Sequence, residues 1–179
     1  MTRKCSDCTL CCKLVPVAEL DKPANTRCQY QRQFRGCTVY HDAKMPLSCR
    51  LWNCRWLVND DTNDLARPDR AHYVIDVVPD SILALDEDRI IQVETVQIWC
   101  DPNWPDAHRD PRLREYLLRR GEEGIVGQIR YGSEYAIILI PPNMNITKKW
   151  IEKPGDMTSN NMNESIRELQ AQGKKVERY

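Results

Sequence analysis

No run in this 179-residue chain approaches the ~20 consecutive apolar residues of a membrane-spanning helix, so no membrane helix is expected. Glycine is sparse, with seven residues. Neither a glycine-rich phosphate loop nor a nucleophile elbow is present, which removes two familiar signatures of catalysis. Formal net charge is zero, so no global field draws the chain to nucleic acid or to an acidic membrane surface. Internal repeats and low-complexity tracts are absent. An apolar h-region is also missing: Met1-Thr2-Arg3-Lys4 is basic, but cysteines follow it, so the segment does not read as a signal peptide. These absences predict a cytoplasmic protein with no membrane contact and no call for nucleic acid, and they leave a protein partner open.

Aliphatic core is thin in the first third of the chain, and cysteine stands in its place. Eight of nine cysteines fall before residue 55: Cys5, Cys8, Cys11, Cys12, Cys28, Cys37, Cys49 and Cys54. In a reducing compartment such a cluster points to metal ligands or redox groups rather than to a disulfide framework. A small polar segment needs a staple, and bound metal is one. The charge balance agrees. Residues 1–60 carry ten Lys/Arg against five Asp/Glu, a formal +5. Thiolates are the metal-binding form, so eight of them would bring this to −3, and two divalent ions to +1. Cys100 follows Ile98-Trp99 at the end of a strand-like run and reads as a buried apolar residue.

The stretch "CSDCTLCC" at residues 5–12 leaves two geometries open. As a helix it would gather all four sulfurs within roughly 120° of arc. As an extended knuckle it would turn Cys11 and Cys12 apart, toward different ions.

The spacing Cys5-x2-Cys8-x2-Cys11-Cys12, then Cys28, then "GCTVYHDAKMPLSCRLWNC" at 36–54, resembles the CxxCxxCC cysteine-cluster domain, also called the YkgJ-type family. That family is described as zinc- or iron-chelating through eight cysteines, and each has a counterpart in the set above. Tyr40 and Pro46 also match its pattern, over roughly residues 5–57, whereas Thr9 replaces a frequent glycine and Met45 a frequent arginine. The resemblance implies a metal site more firmly than any activity.

Beyond the cysteines, residues 58–69 read as a polar loop. His72–Val78, broken by Pro79, and Arg89–Trp99 alternate like strands, and Pro111–Arg120 reads as a helix stopped by Gly121. The runs 125–131 and 134–140 flank "YGSE" as a hairpin. "EKPGDMTSNN" at 152–161 reads as a linker, before a helix over Met162–Gln172 that has a capping-box spacing at Asn161 and Glu164 and a stop at Gly173. The expected architecture is α+β. A metal-stapled cysteine-rich module (1–60) packs on a small α+β body with antiparallel strands (68–151), followed by a linker and C-terminal helix (152–179), with two helices in all.

Trp52 and Trp56 are expected to pack beside the cluster. His41, between Cys37 and Cys49, reads as a loop histidine with a ligand role as the alternative, and His72 and His108 read as structural or exposed. Asp7 and Asp42 read as surface residues. Three functions compete. The first is a zinc-binding structural and interaction module, since eight thiols divide into two closed Cys₄ sites. The second is an iron–sulfur redox protein, since C-x2-C-x2-C plus a remote cysteine also suits a [4Fe–4S] cluster. The third is an enzyme using the metal as Lewis acid, for which no convincing base stands out. Catalytic residues are therefore left unassigned.

Overall fold

The computed structural model describes residues 3–33, 35–86, 89–156, 162–173 and 175–178. The fold is α+β. Six α-helices, most of only one turn, and nine strands are present among the described residues. Two strands form a small ribbon, β1 (Gln31–Arg32) with β2 (Gly36–Cys37). The other seven form one sheet: β3 (Tyr73–Ile75), β4 (Asp80–Asp86), β5 (Arg89–Cys100), β6 (Val126–Arg130), β7 (Tyr135–Ile140), β8 (Ile151–Asp156) and β9 (Lys175–Arg178).

The sheet is organised by β5, whose alternating, β-branched sequence runs for 12 residues. One edge of β5 carries β4 along Arg89–Thr95 and β3 along Ile98–Cys100, both antiparallel. Its other edge carries β9 along Arg89–Gln92 and β6 along Thr95–Trp99, both parallel. The sheet is thus mixed rather than antiparallel as expected from sequence, because β6 and β9 each return to β5 after a helix rather than through a tight turn.

Period-two alternation along β5 divides its neighbours. Val96, Ile98 and Cys100 enter a core with Tyr73 and Ile75 of β3 and with Leu113, Tyr116 and Leu117 of helix α5 (Pro111–Gly121). Trp99 and Val74 face the opposite side, where the cysteine-rich segment packs. From Thr95 to Cys100 every residue of β5 is buried, so the sheet is covered on both faces there. Helix α5 starts where proline at its first position and the Asp110 carboxylate, accepting from the Arg112 N–H at 3.0 Å, satisfy its end.

Several elements depart from the sequence reading. Strand β3 is shorter than 72–78, because His72 takes a left-handed backbone (φ 62°) closing helix α4 (Pro68–Ala71) and the ladder named β3 ends at Ile75. Strand β4 lies beyond Pro79, which was read as a stop. Gly121 is the last residue of α5 rather than its terminator. The run 152–161 is not a linker through Asp156: it forms most of β8, which pairs with β7. Pro154 and Gly155 are tolerated because β8 ends the described strand order, and an edge strand can spare an N–H. Residues 157–161, with the Asn161 cap, lie outside the described residues. Helix α6 (Met162–Ala171) is present, and Gly173 (φ 81°) follows it.

Candidate functional site

Five segments deliver the eight clustered cysteines. Cys5 and Cys8 lie on a turn closed by the Cys8 N–H donating to the Cys5 carbonyl at 2.9 Å. Helix α1 (Leu10–Leu14) then carries Cys11 and Cys12, so "CSDCTLCC" is a turn followed by a helix, between the two geometries considered. Leu10 and Leu14, one helical turn apart, bury against Val74 and Trp99 and fix α1 to the sheet. The Cys28 N–H donates to the Cys12 carbonyl at 3.0 Å. Cys37 ends β2, Cys49 sits on helix α2 (Leu47–Leu51), and Cys54 caps helix α3 (Arg55–Val58) while bridging Asp76 beyond β3.

The β1–β2 ribbon reaches the first turn through Gly36. Its φ is +80°, and a Cβ there would stand 2.2 Å from the Ser6 carbonyl oxygen. Gly36→Ala combines a left-handed residue with a backbone clash. It is expected to lower stability by roughly 1–3 kcal/mol, read as a fall in the urea midpoint.

All eight clustered cysteines line one cavity of about 190 Å³. Its remaining wall is largely apolar and includes Val15, Val17, Leu20, Val39, Tyr40 and Trp52. All nine cysteines of the chain are unbridged. Among the described residues, no three cysteine, histidine or acidic side chains converge closely enough to hold a metal ion as they stand. Burial sets the thiol chemistry. It pushes Cys5 up to about 12 and Cys54 up to about 11, and it also raises Cys8, Cys37 and Cys49. The adjacent pair is different: a hydrogen bond between the two sulfurs holds Cys12 down at about 7 and raises Cys11.

Cations surround the cavity. Lys22 is 7% exposed, and its ammonium donates to the carbonyls of Val15 (2.5 Å), Pro23 (3.2 Å) and Lys13 (3.3 Å). Burial lowers its pKa, and the nearby Cys28, Cys12, Cys11 and Cys49 sulfurs oppose that. Arg3 donates to the Trp56 carbonyl and to Thr62 Oγ1 (2.8 Å), lies over the Trp56 ring, and partly offsets the burial that raises Cys54. Arg67 pairs with Asp7 (2.7 Å) and partly offsets the burial that raises Cys8.

One carboxylate ties the site to the sheet. Asp76, 7% exposed, accepts from Trp52 Nε1 at 2.7 Å, from Trp99 Nε1 at 3.2 Å and from the Val78 N–H at 2.9 Å. Arg130 lies 4.5 Å from the centre of the Trp99 ring and donates to Gln97 Oε1 at 2.6 Å. Asp76 and Lys22 escaped the sequence reading, because nothing in their local pattern marks a buried charge.

The other singled-out residues lie elsewhere. Trp56 borders the cluster, as Trp52 does. His41 is exposed beside Tyr40 and does not line the cavity. Asp42 is exposed, His72 stacks on Trp104 at 3.9 Å, and His108 is buried with Nδ1 2.7 Å from the Tyr131 hydroxyl. Cys100, 1% exposed, belongs to the α5 core and not to the cavity. Cys100→Ser is expected to leave metal content unchanged while costing roughly 1–3 kcal/mol of stability. Elemental analysis beside a urea titration checks both. No helix among the described residues is long and apolar enough to cross a membrane. Set against protein-family models, curated proteins and solved structures, the chain matches none.

Proposed function

We propose that this is a metal-binding protein in which Cys5, Cys8, Cys11, Cys12, Cys28, Cys37, Cys49 and Cys54 chelate zinc, forming a structural and interaction module on the face of the sheet. The observation that carries this reading is the gathering of eight cysteines from five segments around one cavity, while the ninth is kept in the core. The donor set fits zinc, which accepts four thiolates in a closed tetrahedral site. The sulfurs stand apart as described, and each turns about a single side-chain torsion between staggered wells, so bound metal would draw them together by rotamer change. Bound zinc would supply cross-links that a thin aliphatic core lacks. Lys22, Arg3 and Arg67 would offset the negative charge of thiolate-bound metal. The nine unbridged thiols support a reducing, cytoplasmic setting.

Elemental analysis with an absorption spectrum, on anaerobically purified protein, tests the reading. The expected result is colourless protein containing zinc. Brown protein with iron and inorganic sulfide would replace zinc by an iron–sulfur cluster, and metal-free folded protein would end the reading. Metal uptake is also expected to release protons and to weaken on acidification, because the raised thiols are neutral until the metal displaces their protons. Competition titrations across neutral and acidic buffers check the sign.

A further inference from the structure

The eight cysteines do not surround the cavity uniformly. Cys5, Cys8, Cys11 and Cys54 also line a separate small void of about 10 Å³, bounded by Trp56, Leu57, Pro68 and Val74. That is close to the room taken by one water-sized probe, and hence enough for a single ion. Cys12, Cys28, Cys37 and Cys49 do not reach this void and border only the larger cavity. Some backbone contacts follow the same division, while the Gly36–Ser6 contact crosses it. The Cys5–Cys8 turn leads into α1, and Cys54 is held against Asp76 behind it. Cys28 is tied by its N–H to Cys12.

We infer that the cluster consists of two four-sulfur compartments, Cys5/Cys8/Cys11/Cys54 and Cys12/Cys28/Cys37/Cys49, each taking one divalent thiophilic ion and meeting at the adjacent Cys11–Cys12 pair. This rests on the metal-chelating reading. Adjacent cysteines at the seam let one short helix contribute a sulfur to each set, since Cys11 lines the small void and Cys12 does not. The first set is backed by Val74 of the sheet and by Trp56 and Leu57 of α3, and both sets border the larger apolar cavity.

The test is made on the full-length protein with its metal replaced by NMR-active cadmium. Scalar couplings from each cadmium to cysteine β-protons read the ligand sets directly, without mutation. Two cadmium resonances are expected, one coupled to Cys5, Cys8, Cys11 and Cys54 and the other to Cys12, Cys28, Cys37 and Cys49. A cadmium coupled to members of both sets, such as Cys11 with Cys37, overturns the partition and leaves metal binding intact. Failure to bind any cadmium or zinc overturns the chelating reading itself. Metal counts in variants give a second readout. Cys8→Ser with Cys54→Ser is expected to retain one ion of two, and Cys8→Ser with Cys37→Ser to retain none. Equal losses in the two doubles, both still folded, overturn the partition. The wild-type spectrum decides even where a variant fails to fold.

Discussion

Stripping the metal with a chelator is expected to unfold the cysteine-rich segment while the sheet and α5 remain folded. Structural zinc sites contribute on the order of 10 kcal/mol of folding free energy, comparable with the total stability of an ordinary domain. Here the segment has few other resources. Its buried aliphatic anchors are Leu10, Leu14, Val17 and Val39, and its helices are single turns. Short helices of this kind do not persist without tertiary support. The α5 core includes none of the eight proposed ligands, so it should survive. Amide exchange on verified apoprotein distinguishes the two regions. The Cys28, Trp52 and Leu57 N–H groups, bonded to Cys12, Ser48 and Cys54, should lose protection. Amides of the β5–β6 ladder around Ile98 and Ile129 should keep it. Full protection from Cys28 to Cys54 without metal would refute a metal-dependent fold.

Asp76→Ala should be the most damaging single substitution outside the cysteines. The carboxylate accepts from two indoles and one backbone N–H at a nearly closed site. Alanine leaves Trp52 and Trp99 without that acceptor. Each buried, unsatisfied donor costs about 1–3 kcal/mol, giving roughly 2–6 kcal/mol for the pair. Trp52 comes from the cysteine-rich segment and Trp99 from β5, so the substitution also loosens the docking of one on the other. The urea midpoint should fall at unchanged slope, and tryptophan emission should shift to the red. Asp76→Asn keeps one acceptor oxygen and should fall between. A stability change below about 0.5 kcal/mol in the alanine variant would place it among ordinary surface substitutions and show that the two indoles find other partners.

Short-range chemistry was readable from the chain. Spacing and charge marked out the eight cysteines as one set, because side-chain type and spacing are local properties, and the structure lines one cavity with all of them. Cys100 separated from them because it ends the apolar alternation of β5, and the structure places it in the core. Strand β5, helix α5 and the β6–β7 hairpin were legible because period and caps are local. Strand β4 and the Lys175–Arg178 strand were missed because their pairing with β5 depends on a partner far along the chain or beyond an apparent stop. Pro154 and Gly155 disguised β8 for the same reason: edge position, which makes them harmless, is not visible locally. The tertiary structure alone decided that Asp76 and Lys22 are buried charges. It also gathered all eight cysteines around one cavity, and it alone set Cys54 beside Cys5, Cys8 and Cys11 across more than forty intervening residues. The physical reason is that side-chain chemistry is written residue by residue, whereas grouping depends on how α1, the β1–β2 ribbon and α3 dock on Val74, Trp99 and Asp76.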